Sequence, residues 1–308
     1  MIDQRDRREF LKLLGVGGVT FASGLWGCAR GPAAGGAGAM APGSGAAAED
    51  FVFLQLTDTH WGYKGAANPE ADSTLRKVVA TINASPVAPD FIVFTGDLTH
   101  TTDDAKLRRA RLAEFRDIAA GLKVKDVKFL AGEHDAAPDG GEAYRELLGS
   151  PTHAFAHKGV HFIALDNVSL PGGALGDTQL AWLAAEVAKV PKAAPLVVFT
   201  HRPLFDLFPA WEWATRDGAR ALAILDGHPR VTVFYGHIHQ EHHFTTGHIQ
   251  HHAGRSLIFP LPAAGSVAKR APLPWDPASP DHGLGHRAVK LGGGEAVATE
   301  VPYSSAAG

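Results

Sequence analysis

The stretch Phe51-Val52-Phe53-Leu54-Gln55-Leu56-Thr57-Asp58-Thr59-His60 opens the folded part of the chain and sets its character. A nearly apolar run ends at once in an aspartate and a histidine two residues apart. A run this apolar reads as a strand covered on both faces, because a half-exposed strand alternates with polar residues. Similar runs lie at 91–95, 127–131, 160–165, 196–200 and 231–235. Helical spacings separate several of them. Leu75, Val78, Val79 and Ile82 mark one helix, with Asn68-Pro69 as its expected N-cap and first turn. Leu112, Phe115, Ile118 and Ala119 mark a second. Leu180, Leu183, Ala184 and Val187 mark a third, with Asp177 as its expected cap. Strands alternating with helices predict a layered α/β fold. The Pro-rich piece 271–285 reads as a long loop, either a rim of a site or a surface excursion.

The residues just past the strand ends carry the chemistry. Asp58-Thr59-His60 comes after the first strand, Gly96-Asp97 after the second and Gly132-Glu133-His134-Asp135 after the third. His201 comes after the fifth and Gly236-His237-Ile238-His239 after the sixth. Ligands of open α/β sheets gather beyond the carboxyl ends of strands. Singly, each residue has an ordinary structural reading as a cap or a turn. Together they deliver Asp, Glu and His to one end of the sheet. In extended backbone, Asp-x-His and His-x-His point two ligands the same way, and Gly96, Gly132 and Gly236 permit tight turns.

The bulk composition agrees. The 308 residues hold 17 histidines against one cysteine, which excludes a disulfide scaffold or a thiolate zinc site. Imidazole and carboxylate suit iron or manganese, with zinc as a further candidate. The net charge of −3 offers no broad basic field, so a nucleic-acid partner is not expected.

Residues 1–28 read as targeting. Arg7-Arg8-Glu9-Phe10-Leu11-Lys12 and the apolar stretch to Trp26 resemble a twin-arginine export signal. That implies an exported protein, periplasmic or extracellular, with the export machinery as a partner. Such substrates cross folded, so a metal site would be loaded first. Leu25-Trp26-Gly27-Cys28 resembles a lipobox, although Trp26 fits poorly. Cys28 is then either a lipid-anchored membrane tether or an unmodified residue of a discarded signal. Residues 29–49, mostly Ala, Gly, Pro and Ser, form an expected flexible linker, and 50–308 the domain.

The ordered set Asp-x-His, Gly-Asp, Gly-x-His-Asp, His, Gly-His-x-His resembles the calcineurin-like metallophosphoesterase superfamily over residues 51–265. The resemblance implies a two-sheet sandwich flanked by helices, with a dinuclear metal site at one end. It implies that Asp58, His60 and His239 hold one ion, that Asp97 bridges, and that Glu133, His201 and His237 hold the other. His134 would contact a phosphate and protonate the leaving oxygen, with Asp135 orienting its imidazole. The reaction implied is hydrolysis of a small-molecule phosphomonoester or phosphodiester by a bridging hydroxide. Alternatives are a catalytically weak metal-binding domain and a phosphodiesterase directed at phospholipid or nucleic acid.

Glu133 departs from the pattern, since the family usually has Asn there. With Asn, two divalent ions, two aspartates and a hydroxide leave one net positive charge; ionised Glu133 cancels it. Glu133 is therefore expected to bias the site toward a trivalent ion, or else to swing away and leave the second site weak. Arg202 and Arg255 are candidate anion clamps or partners of surface carboxylates, and His100 could line the cleft. His242, His243, His248, His251 and His252 are expected to face solvent or stand behind the ligands. Trp211 and Trp213 read as packing residues, with a cleft wall as the alternative.

Overall fold

The computed structural model describes residues 20–22, 49–86, 89–292 and 295–302. The export and lipid-anchor readings therefore fall outside the described residues, apart from Thr20–Ala22. Among the described residues the strands are β1 Thr20–Ala22, β2 Phe51–Leu56, β3 Phe91–Thr95, β4 Val127–Leu130, β5 His153–His157 and β6 Val160–Ala164. They continue as β7 Leu196–Phe199, β8 Val231–Tyr235, β9 His242–Thr246, β10 Ile249–Ala253, β11 Gly285–Gly292 and β12 Glu295–Pro302. The α-helices are α1 Ala71–Ala84, α2 Ala105–Ala119, α3 Glu133–Ala136, α4 Glu142–Leu148, α5 Gly176–Lys189 and α6 Gly218–Asp226.

Two sheets form, in the orders β1-β12-β11-β2-β3-β4 and β5-β6-β7-β8-β10-β9. The parallel centres are β2-β3-β4 and β6-β7-β8-β10, with antiparallel strands outside them. The apolar strands divide their residues by the two-residue period. Phe51, Phe53, Phe91, Val93, Phe162, Val197, Phe199 and Phe234 meet between the sheets. Leu54, Leu56, Ile92 and Phe94 turn outward to α1 and α2, and Ile163, Leu196, Val198 and Val233 to α5 and α6. Four layers result, and each central strand is covered on both faces. The inter-sheet layer is aromatic. Phe53 stacks on Phe91 at 4.9 Å and meets Phe162, Phe199 and Phe234 edge-on at 5.6–6.0 Å.

The structure corrects several local readings. Helix α1 begins at Ala71, and the Glu70 N-cap makes no side-chain cap. Asn68 instead closes the preceding turn: it accepts from Glu70 N–H (3.0 Å) and donates to Ile258 O (2.7 Å). Asp177 lies inside the first turn of α5 and pairs with Arg220. The orphan N–H groups of Leu175 and Gly176 are met by Asp217, at 2.8 Å each. Ala184 is exposed. Trp211 and Trp213 are buried and edge-to-face at 5.1 Å, as packing residues. The 271–285 loop proves to be a rim, since Ala271 and Pro272 line a cavity shared with His60, Asp97 and Glu133.

Candidate metal centre

The segments after β2, β3, β4 and β8 line that one cavity, of about 160 Å³, and the segment after β7 brings His201 to the same cluster. Asp97, Glu133, His201 and His237 each offer a ligand atom within 4.8 Å of one another, as do Asp58, His60 and His239. Asp97 stands between the groups, with Oδ2 3.4 Å from both His60 Nε2 and His201 Nε2. His60 and His239 face each other through Nε2 at 3.2 Å, and Asp58 Oδ1 is 3.3 Å from His239 Nε2.

The convergence does not come from strand alternation. Asp58, His60, Asp97, His237 and His239 all have positive φ, between 42° and 68°. They sit in left-handed turns beyond the strands, a conformation that costs a side-chain-bearing residue on the order of 1–3 kcal/mol. Adjacent loops hold them there. Asp58 N–H donates to Gly96 O (3.0 Å) and His60 N–H to Asp97 O (2.9 Å). Side-chain oxygens of the ligands also brace neighbouring loops: Asp97 Oδ1 accepts from His134 N–H (2.9 Å) and Asp58 Oδ2 from His237 N–H (3.0 Å). Gly132 is required for closeness, because a Cβ there would collide with the Asp97 carboxylate and backbone N.

Three histidines have their tautomers fixed by backbone carbonyls. Nδ1–H of His201 faces Thr95 O (2.7 Å), Nδ1–H of His239 faces Phe259 O (2.7 Å), and Nε2–H of His237 faces Glu212 O (3.1 Å). In the neutral ring the opposite nitrogen of each is thereby a lone pair aimed into the centre. These orienting carbonyls were invisible in the sequence, because a backbone oxygen has no residue signature. Only the positive φ of Glu212, at 60°, marks its segment as special.

The donor set fits a divalent cation. Glu133 does not swing away: Oε2 lies 2.9 Å from His201 Nε2 and Oε1 2.8 Å from His237 Nδ1. Yet Glu133 Oε2, His201 Nε2 and His237 Nδ1 are buried without a hydrogen-bond partner. Buried polar atoms aimed at one point without hydrogen bonds are costly unless a cation joins them. Electrostatics prepares the acids for that role. Burial opposes ionisation of Glu133, but His237 and His201 hold its carboxyl well below the usual range. Burial and Glu133 push Asp97 upward, and His201, His134 and His60 outweigh them, bringing it to about 2. Burial works against a proton on His201, but Asp97 and Glu133 raise it well above the ordinary value. A cation would have to displace that proton.

His134 stands at the cavity, its side chain 25% exposed, with Nε2 3.9 Å from Asp97 Oδ2. Its Nδ1 accepts from Thr101 N–H (3.1 Å), which places the ring proton on Nε2, facing the cleft. Asp135 does not orient this imidazole. Its fully buried oxygens accept from Gly132 N–H (2.9 Å), Leu98 N–H (2.9 Å), Thr99 N–H (2.8 Å) and Thr99 Oγ1–H (2.9 Å). It ties the Asp97 loop to the Glu133 loop, and burial together with the Asp97 charge pushes its carboxyl up to about 7 against those donors. Arg202 does not line the cavity either; it is buried, with Nε 3.6 Å from Glu133 Oε2. Arg255 pairs with Glu241 at 3.3 Å. His100 does not line the cavity and stands beside His60, with Nδ1 3.3 Å from His60 Nδ1. Phe259 and Arg270 were missed as wall residues; Phe259 stacks on His60 and His239. In the His-rich hairpin β9-β10, His251 and His252 are buried, which overturns solvent exposure for those two.

Comparison with known proteins places this geometry. Residues 51–241 match the calcineurin-like phosphoesterase family model. A cAMP/cGMP dual specificity phosphodiesterase of Mycobacterium tuberculosis is 32% identical over 206 residues, covering 62% of each chain. The 3',5'-cyclic adenosine monophosphate phosphodiesterase CpdA of Escherichia coli K12 is 28% identical over 200 residues, covering 61% of this chain and 69% of its own. The chain thus spans somewhat less than two thirds of the length of the Mycobacterium relative. The crystal structure of a dimetal phosphatase from Danio rerio shares the fold, with TM-score 0.54 at 18% identity, covering 79% of this chain and 95% of that one. The match spans the loops after β2, β3, β4, β7 and β8 together, and the chain belongs to the calcineurin-like phosphoesterase family.

Proposed function

We propose that the chain hydrolyses phosphate esters of small molecules at a dinuclear metal centre, with phosphodiesters of the cyclic-nucleotide kind as its leading substrate class. The carrying observation is the convergence of seven side chains, Asp58, His60, Asp97, Glu133, His201, His237 and His239, with Asp97 between the two groups. The relatives named as cyclic-nucleotide phosphodiesterases support the substrate class. Bound ions would supply Lewis acidity and an acidified water. Iron or manganese suits these donors, and zinc is compatible. His134, with its proton on Nε2, contacts the phosphoryl group and donates to the leaving oxygen. The cavity of about 160 Å³ admits the phosphoryl group, so the rest of a nucleotide lies over Phe259 and the 271–285 rim. The test is hydrolysis of chromogenic mono- and bis-phosphate esters and of 3',5'-cyclic AMP after loading with Mn, Fe or Zn. A fully loaded protein without turnover on any of them sinks the proposal.

Export by the twin-arginine route, with the domain at 50–308 released or tethered through Cys28, belongs to the same reading. Removal of residues 1–28 would take Thr20–Ala22 with it and leave β12 as the sheet edge, a loss of one short pairing. Fractionation of cells, with Arg7-Arg8 changed to Lys-Lys as the comparison, checks it: an unchanged distribution of the variant overturns export by this route.

A further inference from the structure

Arg202 lies beside Glu133, one of the seven converging side chains. Its Nε is 3.6 Å from Glu133 Oε2, and Arg202 is only 6% exposed. That Nε is buried and has no hydrogen-bond partner. The residue is held in place by its backbone: Arg202 O accepts from Asn167 Nδ2–H (2.9 Å) and Thr200 Oγ1–H (2.9 Å). Gly173, at φ 67°, leaves room for the guanidinium, since a Cβ at that position would collide with Arg202 Nη1. A guanidinium keeps its charge at any ordinary pH, and burial reduces the screening of that charge by water.

We propose that Arg202 is the fixed counter-charge of Glu133, so that the two together add no net charge to the centre. Glu133 subtracts one charge from the centre and Arg202 returns it. The net positive charge that attracts a phosphate anion is then retained with two divalent ions, and the expected bias toward a trivalent ion loses its electrostatic reason. Arg202 is thus a positioning residue, acting through Glu133 from behind and not touching the substrate. The inference rests on the reading of Glu133 as a metal ligand.

The experiment is calorimetric titration of inorganic phosphate into the Mn-loaded protein, with metal content measured on the same samples. Arg202→Met should keep both ions and bind phosphate about tenfold more weakly, as expected for one uncompensated charge near the anion. Glu133→Asn should bind it more tightly. The double variant should return to within about threefold of the wild type, since its net charge near the anion equals that of the wild type. Arg202→Lys, which keeps the charge, should also stay within about threefold. A double variant as weak as Arg202→Met would mean that Arg202 grips the phosphate itself, and would overturn the proposal. Unchanged phosphate binding in Arg202→Met overturns it as well. Failure of the underlying reading looks different: Glu133→Ala would then retain two ions with unchanged metal affinity.

Discussion

His134 and Asp135 are adjacent, but their side chains serve different loops. His134 faces the cavity, and Asp135 is sealed beneath it with four hydrogen-bond donors. His134→Ala should lower turnover on the order of 10²–10⁴-fold while both ions stay bound. Asp135→Ala should instead destabilise the fold by about 1–3 kcal/mol for each donor left without water or a partner, and loosen the metals. Turnover and metal content measured together distinguish the two, and full activity in both variants would remove the assigned roles. His60 presents a related question. His201, His237 and His239 each lean on a backbone carbonyl, whereas His60 Nδ1 faces the His100 imidazole at 3.3 Å. Burial, with His134 and Arg111, lowers His100 to about 4, so near neutral pH it is an uncharged acceptor for His60 Nδ1–H. His100→Ala should weaken metal binding by about 10–100-fold, as loss of a ligand's orienting partner does elsewhere, and His100→Asn should recover part of it. Competition with a chelating dye reads the affinity; equal affinity in wild type and His100→Ala would exclude the orienting role.

At the scale of elements, the strands that were legible are the nearly continuous apolar runs, the edge strand β4 among them. The edge strands β5 and β9 were not. β5 reads His-Ala-Phe-Ala-His and alternates partly buried with exposed residues, and β9 is His-His-Phe-Thr-Thr, so neither shows a continuous apolar run. β11 conceals itself further, with Arg287 fully buried and its Nη2–H on Ala253 O (2.6 Å). The ligand set was legible because Asp, Glu and His recur at strand ends, while its geometry was not: the left-handed turns depend on contacts between loops far apart in sequence. The aromatic layer makes its own prediction. Phe53 is fully buried amid four other phenylalanines, so Phe53→Ala should cost about 3–5 kcal/mol in denaturant unfolding. The β9-β10 hairpin predicts acid sensitivity. Burial lowers His251 to about 4, and burial with Arg287 lowers His252 to about 2. An unfolded chain takes up these protons near pH 6.5 and the folded one does not, so stability is complete above that value and falls as pH drops below it. At pH 5 each group costs up to about 2 kcal/mol. Unfolding of metal-free protein should therefore show stability rising with pH from 4 to 6.5, more shallowly in His251→Phe, and an identical slope in that variant would discount the buried imidazole.

At the scale of the molecule, the candidate centre lies where the two sheets meet. Asp58, His60, Asp97 and Glu133 come from the loops after β2, β3 and β4, and His201, His237 and His239 from those after β7 and β8. A cation held by Glu133, His201 and His237 together would therefore link one sheet to the other, at the end of a sandwich whose interior is otherwise apolar. The same place concentrates three ionised carboxylates, since Asp58 and Asp97 as well as Glu133 have lowered values despite burial. Without a cation, the neighbouring imidazoles, His201 with its proton foremost, offset these charges, and an ion that enters must displace that proton. Ions that bind the folded chain alone stabilise it by about 2.7 kcal/mol at a hundredfold excess over Kd, and by about 4.1 kcal/mol at a thousandfold excess. Chelation should therefore lower Tm by several degrees and restoring Mn or Zn should raise it in a concentration-dependent way, measured by calorimetry. Glu133→Ala should lose part of that metal-induced rise, because one of the two groups then keeps only Asp97, His201 and His237. A Tm indifferent to chelator and metal alike, in a protein shown to contain both ions beforehand, would mean that the sandwich holds its loops in place unaided.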